Sequence, residues 1–126
     1  MTEAGFTRAI HKKLPSTVYH WKVNDRFTVG VPDAWYSGER GDLWVEYKFL
    51  PKLPRVIRHT LLSDKQRHWL NLRHAEGRNV MVAIGHEKRV LVLEHGNWNY
   101  DQDRQTFESD ALTRQDFVDT LTHIVT

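Results

Sequence analysis

Two charged side chains interrupt the apolar segment LWVEYKF at residues 43–49, where the carboxylate of Glu46 precedes the ammonium of Lys48 by two positions. Side chains two positions apart on a β-strand share one face, so these two groups point together and their apolar neighbours point to the opposite face. Burying an ion without a partner costs several kcal/mol. The segment therefore predicts that Glu46 and Lys48 have specific partners.

A further carboxylate lies upstream at Asp33, directly after a proline. The glycine-containing turn SGERGD at residues 37–42 predicts a hairpin that brings Asp33 beside Glu46. Two carboxylates, completed by water and substrate phosphate, are oxygen ligands that Mg²⁺ prefers. Lys48 would then orient or deprotonate an attacking water, or neutralise charge that develops on a phosphodiester. The alternative is a cross-strand salt bridge on a half-exposed sheet.

The elements around this segment follow from the hydrophobic periodicity. A first helix is predicted at residues 3–14, where a proline stops it. Three strands of a hairpin or meander follow, at residues 16–23, 29–35 and 43–49. The next segment, residues 51–60, contains two prolines and is predicted to be an irregular or mobile loop.

The second half of the chain alternates helix and strand. Ser63 predicts the start of a helix that ends at Gly77. The continuous apolar run at residues 79–85 is typical of a strand buried on both faces, and another strand is predicted at residues 89–94. A final helix is predicted at about residues 113–125. The order α–βββ–α–ββ–α predicts an α/β sandwich around a mixed sheet, with a right-handed crossover that makes two strands parallel.

Composition limits the class of protein. A length of 126 residues favours a single domain. The absence of cysteine excludes a disulfide framework and a cysteine-ligated zinc site. Apolar runs are too short to span a membrane and no signal peptide is present, so we expect a soluble, cytoplasmic protein without a membrane partner.

Charge is unevenly distributed although the net charge is only +2. From Lys48 to Arg78 there are eight basic and two acidic residues, and from Glu94 to the end there are two basic and seven acidic ones. A basic middle predicts a polyanionic partner, with nucleic acid as the first choice and a solvated surface as the alternative. Five basic residues follow the 43–49 strand closely and are candidates for phosphate contacts: Lys52, Arg55, Arg58, Lys65 and Arg67.

Taken together, PD at residues 32–33 and EYK at residues 46–48 resemble the first and second motifs of the PD-(D/E)xK nuclease superfamily. The resemblance is closest to its small virus-type replication–repair nuclease (VRR-NUC) branch, which occurs in phages and is related to Holliday junction resolvases. GVPD at residues 30–33 matches that branch, as do Glu3 at the start of the first helix and LSDKQ at residues 62–66. The resemblance covers roughly residues 3–93.

This resemblance implies a restriction-endonuclease-like fold with a central mixed sheet of about five strands flanked by helices. It implies one nuclease domain over residues 1–126, with a family-like core at 3–93 and an extra acidic C-terminal segment. The implied activity is that of a Mg²⁺-dependent DNA endonuclease, in which Mn²⁺ substitutes, acting on branched or distorted duplexes. A homodimer is implied because paired cuts need two sites, and the location would be the cytoplasm of a bacterial host if the chain is phage-encoded.

The resemblance also implies roles for individual residues. Asp33 and Glu46 would hold the metal together with the backbone carbonyl of Tyr47, and Lys48 would be catalytic. Glu3 and Gln66 would be auxiliary catalytic groups near the site, with Glu3 as a further metal ligand. Two alternatives remain, because Glu3 also suits the dipole at the start of a helix and Gln66 also suits a helix surface.

Other functions remain open at this point. A silent nuclease fold would bind nucleic acid or a protein without cutting, and a nuclease would act equally on RNA or single strands, since no residue pattern reads a 2′-hydroxyl. Aromatic residues of the hairpin would stack on bases or fill a dimer interface: Trp35, Tyr36 and Trp44. For Trp44, and for Trp69 of the predicted second helix, packing in the core is the favoured alternative.

Overall fold

The computed structural model of the protein describes residues 1–23 and 29–126. The helices are α1 (Glu3–His11), α2 (Asp64–Ala75), α3 (Arg104–Asp110) and α4 (Arg114–Val125). The strands are β1 (Tyr19–Lys22), β2 (Ala34–Ser37), β3 (Asp42–Phe49), β4 (Val56–Ile57), β5 (Val80–His86), β6 (Arg89–Leu93), β7 (Gln102–Asp103) and β8 (Leu112–Thr113). Single 3₁₀ turns occur at His59–Leu61 and Asn97–Asn99. The turn predicted between the first two strands falls largely on residues 24–28 and lies outside the described residues.

Six strands form one mixed sheet in the order β1–β2–β3–β5–β6–β8. β3 and β5 are parallel, as the crossover through α2 predicts, and the other neighbours are antiparallel. This confirms the predicted α/β architecture with a mixed sheet flanked by helices. The sheet has one strand more than expected, because the two residues of β8 extend it beyond β6. β4 and β7 form a separate two-stranded sheet.

The sheet separates two hydrophobic cores. On one face, Tyr47 of β3 packs with residues of α1 and α4, including Phe6 and Phe117. On the other face, β5 and β6 pack against α2 and the residues that follow Glu94, including Leu70 and Phe107. β5 is buried along almost its whole length because it contributes to both cores, as its continuous apolar run predicts.

The start of α2 is fixed by a reciprocal pair of hydrogen bonds. The hydroxyl of Ser63 accepts from the backbone N–H of Gln66 at 3.1 Å, and the Gln66 side chain accepts from the backbone N–H of Ser63 at 2.9 Å. This capping box satisfies two backbone donors that a helix start leaves free. The helix ends before Gly77, whose φ of 84° suits glycine. Both ends therefore lie where the sequence predicts them.

Three predicted boundaries are wrong. β1 begins at Tyr19 rather than at residue 16, because a turn closed by the N–H of Val18 and the carbonyl of Pro15 precedes it. α1 ends at His11 rather than at residue 14, because the chain tightens into i→i+3 turns before Pro15. β2 begins at Ala34 rather than at residue 29, because Gly30 takes a φ of 93°. A Cβ atom at Gly30 would lie 2.5 Å from the carbonyl oxygen of Lys65, so only glycine allows the chain to approach α2 this closely.

The proline-containing segment at residues 51–60 is anchored rather than irregular throughout. β4 pairs with β7, and the Arg104 side chain donates to the carbonyl of Leu53 at 2.6 Å. Asp101 accepts from the backbone N–H of His59 at 2.8 Å. These partners lie more than forty residues away in sequence, so no local pattern could indicate them. The acidic C-terminal segment therefore holds this loop and contributes to both cores.

Candidate functional site

Asp33 lies where the pairing between β2 and β3 ends. The last paired residues are Ala34 and Val45, so the next backbone N–H on that side of β3, that of Tyr47, has no strand partner. The Oδ2 atom of Asp33 accepts this N–H at 3.0 Å. Because the N–H and C=O of a strand residue point to the same side, the carbonyl of Tyr47 also points toward Asp33.

Glu46 is buried on the α2 face of the sheet, with 2% of its surface exposed. Its Oε2 atom accepts from Nε2 of Gln66 at 3.2 Å and lies 3.6 Å from Nζ of Lys48. Its Oε1 atom is buried and has no hydrogen-bond partner among the described residues. Burial, followed by the negative charge of Asp33, raises the pKa of Glu46 to about 9, and Lys48 opposes this shift. Without a further cation near it, this carboxyl is therefore neutral at pH 7.

Lys48 and Glu3 complete one edge of the site. The Lys48 side chain is 18% exposed, so its ammonium reaches solvent while it lies beside Glu46. Desolvation raises the pKa of the Glu3 carboxyl, with the charge of Lys48 lowering it and that of Asp33 raising it further. Glu3 is thus close enough to the site to interact with both charges. The N-cap of α1 is Thr2, which accepts the N–H of Gly5 at 3.0 Å, and Glu3 lies in the first turn, where its carboxylate also suits the helix dipole.

Gln66 joins two parts of the structure. Its side-chain oxygen belongs to the capping box of α2, and its side-chain nitrogen donates to Glu46. Gly30 contacts the same helical turn through its backbone. The segment that carries Asp33 and the strand that carries Glu46 are consequently both held against the first turn of α2.

A buried polar chain lies behind β3 and was not predicted. Nε2 of His11 lies 2.6 Å from the hydroxyl of Tyr36, which lies 2.6 Å from the hydroxyl of Tyr47. Both tyrosines are fully buried, and burial raises the pKa of each. Desolvation lowers the pKa of His11 to about 4. This burial excludes the predicted role of Tyr36 in stacking on bases or in a dimer interface, because its ring belongs to the core.

The predicted phosphate-contacting residues divide into two groups. Lys52, Arg55 and Lys65 are exposed. Arg58 is also exposed but pairs with Asp101 at 3.1 Å, and Arg67 donates to the carbonyl of His59 at 2.9 Å and also contacts Asp64. The structure thus uses two of the five cations in its own contacts.

Metal-ligating side chains are sparse. Within residues 1–23 and 29–126, no group of three or more His, Asp or Glu side chains is arranged to hold a metal ion. The rings of His11 and His20 lie 4.4 Å apart, although their spacing in sequence does not indicate it. In this arrangement Asp33, Glu46 and oxygen atoms other than side-chain carboxylates are the available ligands, and the Glu3 side chain would have to move toward them to join the set. Among the described helices, none has the length and apolar character needed to cross a membrane.

Comparisons with known proteins identify the fold. No protein-family model and no curated protein sequence matches the chain. Among solved structures, the chain is similar to Hjc, a Holliday junction resolvase from the archaeal hyperthermophile Archaeoglobus fulgidus. The TM-score is 0.58 at 17% identity, over 92% of this chain and 96% of that chain. The likeness confirms the predicted restriction-endonuclease-like fold. It provides no support for the VRR-NUC branch or for a phage origin.

Proposed function

We propose that this protein is a metal-dependent endonuclease that hydrolyses phosphodiester bonds in DNA. The observation that carries the proposal is the burial of Glu46 beside Asp33 with one carboxylate oxygen left without a partner. A buried carboxylate is unfavourable as an ion unless a cation or several donors surround it. A divalent cation would supply that charge, and it would reverse the upward shift in the pKa of Glu46.

The oxygen atoms at the site suit Mg²⁺, with Mn²⁺ as a substitute. Asp33, Glu46 and the backbone carbonyl of Tyr47 would hold the ion, with Glu3 as a further ligand. Mg²⁺ keeps several waters and is commonly bound by one or two carboxylates plus substrate phosphates, so the half-buried Asp33 and the buried Glu46 are a sufficient set. When bound, such an ion lowers the pKa of water and stabilises negative charge on a phosphodiester.

The protein's own groups would orient the reacting atoms. The N–H of Tyr47 fixes Asp33, and the side-chain amide of Gln66 fixes Glu46. Lys48, with its ammonium 3.6 Å from Glu46, would orient the attacking water or stabilise charge as it develops. Because these groups are held by the folded protein before substrate arrives, little reorganisation is needed during the reaction.

Branched DNA is the substrate that we propose. Three observations support it: the fold shared with a Holliday junction resolvase, the carboxylate pair, and the exposed cations Lys52, Arg55 and Lys65. We also propose a homodimer, because one site per chain cuts one strand and a branched substrate needs paired cuts. A silent DNA- or protein-binding module is less well supported, because Asp33, Glu46 and Lys48 are all present at one place.

Cleavage assays test this proposal directly. Labelled four-way junction, linear duplex, single-stranded DNA and single-stranded RNA would each be incubated with Mg²⁺, Mn²⁺ or EDTA. We expect metal-dependent cutting of the junction by the wild type, and a loss of about 100-fold or more in Glu46→Gln and Lys48→Met, since acid–base groups contribute about 10²–10⁴-fold. Glu39→Gln, at an exposed position, is the matched control and should cut normally.

Binding measurements separate catalysis from recognition. Both site variants should still bind the junction, and reversal of Lys52, Arg55 and Lys65 to Glu should weaken binding and reduce its salt dependence. Inertness of the wild type on every substrate, indistinguishable from the two variants, would contradict the nuclease proposal. A fully active monomer in analytical ultracentrifugation would contradict the dimer.

A further inference from the structure

Aromatic side chains line one face of the sheet next to the carboxylate pair. Trp21 of β1 lies directly opposite Trp35 of β2, and Trp35 lies directly opposite Trp44 of β3. Directly opposite residues of antiparallel strands point to the same face, and so does Tyr19, two positions before Trp21. We call these four residues the aromatic face: Tyr19, Trp21, Trp35 and Trp44. Glu46 lies two positions after Trp44 and therefore on this same face.

The outer part of the aromatic face is open to solvent. β1 is at the edge of the sheet and all four of its residues are exposed, with Tyr19 63% and Trp21 50% exposed. Tyr19 contacts Trp35 at a ring-centroid distance of 6.1 Å, and Trp35 contacts Trp44 at 6.2 Å. The indole N–H of Trp35 donates to Asp42 at 3.0 Å, which fixes its ring. Contiguous exposed aromatic surface of this kind is typical of a binding site.

Cations adjoin the aromatic face where α2 meets it. Trp69 contacts Trp44 at 5.3 Å and lines a cleft of about 610 Å³ on the outer side of α2. The guanidinium of Arg73 lies 5.6 Å from the centroid of the Trp69 ring. The cleft is lined by apolar and basic groups and by one carboxylate: Val29, Leu72, Lys65, His68, Arg73 and Asp64. Indole rings beside cations are the groups that bind a nucleic-acid strand through its bases and its phosphates.

We propose that the aromatic face stacks against unpaired nucleotides of the DNA strand whose phosphodiester lies at Glu46. The inference rests on the proposed nuclease function and narrows its branched substrate to DNA whose bases are unpaired or unstacked at the branch point, near the cleaved phosphodiester. Sheet surfaces with aromatic residues on neighbouring strands stack the bases of single strands. Paired bases inside a duplex are stacked on one another and do not present their faces.

The dimensions agree with this arrangement. Two positions along a strand correspond to about 7 Å, so Trp44 lies about that far along β3 from Glu46, and Trp35 equally far along the chain from Asp33. Trp44 itself packs against the core and against Trp69 of α2. A strand with its phosphate at the carboxylate pair would therefore have its neighbouring bases above Trp35, and further bases above Trp21 and Tyr19.

A second copy of this chain is the other occupant that an aromatic face suits, but the charges favour a polyanion. Lys65 lies beside Trp69 and would meet phosphates, whereas Arg73 beside the same ring is already paired with Glu76 at 2.8 Å. Two carboxylates of this region are already engaged, Asp42 with the indole of Trp35 and Asp64 with Arg67.

Fluorescence anisotropy in EDTA, where no metal-dependent cleavage occurs, tests the proposal with three labelled probes. These are a single strand, a blunt duplex and a duplex that carries a single-stranded arm. Trp21→Ala and Tyr19→Ala should each weaken binding of the single strand and of the armed duplex by about 5- to 150-fold, which corresponds to the loss of one stacked base. Binding of the blunt duplex should not change. Trp21→Phe should restore most of the affinity, and Tyr100→Ala, which removes another aromatic ring that is 67% exposed, is the matched control.

Several results would overturn the proposal. These are failure of the wild type to bind single strands, an equal loss on all three probes, and no loss in either variant. A dimer that becomes a monomer in Trp21→Ala, with unchanged affinity per site, would assign this face to a second copy instead. The two proposals fail separately. If the wild type cuts DNA and Trp21→Ala binds all probes normally, only the proposal about the aromatic face is refuted. If the wild type cuts no substrate but requires Trp21 to bind single strands, only the nuclease proposal is refuted.

Discussion

Replacing Glu46 by Gln should stabilise the metal-free protein in a pH-dependent way. The pKa of Glu46 is raised from an ordinary value of 4.5 to about 9 in the folded protein. Below pH 4.5 this carboxyl is protonated in both the folded and the unfolded protein and costs no stability. As the pH rises toward 9 it ionises only in the unfolded protein, so the free energy of unfolding falls. At pH 7, which is about 2.5 pH units above the ordinary value, the loss is about 3 kcal/mol at about 1.4 kcal/mol per unit.

Gln at this position cannot ionise, and it keeps an oxygen that can accept from Gln66. The free energy of unfolding of Glu46→Gln should therefore exceed that of the wild type by up to about 3 kcal/mol at pH 7. At pH 4.5 the two values should be equal. For a chain of this size the difference corresponds to roughly 10 °C in Tm. Lys48 loses its partner, but its partly exposed ammonium can be solvated.

Urea unfolding in EDTA at several pH values between 4.5 and 9 measures this difference. Glu39→Gln, which changes an exposed carboxyl, should follow the wild type at every pH. Mg²⁺ should then stabilise the wild type more than Glu46→Gln, because a ligand that binds only the folded state raises its stability by mass action. Parallel pH profiles for the wild type and Glu46→Gln would refute the claim that this carboxyl is buried without a sufficient partner.

Two other substitutions test the local structure. Gly30→Ala should lower the free energy of unfolding by about 1–3 kcal/mol in urea, because its φ is 93° and a Cβ atom would contact the carbonyl of Lys65, whereas Gly41→Ala has nothing within 4 Å and should be neutral. Asp101→Asn should remove a contribution to stability that is present above pH 4 and is lost as the pH falls toward 2, since hydrogen bonds from His59 lower the pKa of Asp101 to about 2. Hydrogen exchange at the His59 amide should accelerate in Asp101→Ala, which removes the acceptor, and an unchanged exchange rate there would contradict the anchoring of the 51–60 segment.

The sequence by itself determined the features that depend on neighbouring residues. Alternation along residues 43–49 placed Glu46 and Lys48 on one face of β3 and Tyr47 in the core of the other. The side chain at Ser63 determined where α2 begins, and the apolar run at residues 79–85 determined a strand buried on both faces. Each of these rests on a period or on a cap, which spans only a few residues.

The tertiary structure decided which groups meet. Gln66 reaches Glu46 across 20 positions, and Tyr36 reaches Tyr47 across 11 and His11 across 25. Arg58 finds Asp101 across 43 positions. Sequence periodicity gives the direction of a side chain relative to its own strand or helix, but its partner depends on how distant elements pack. For the same reason the five candidate cations looked equivalent in sequence, while the fold pairs Arg58 with Asp101 and Arg67 with Asp64.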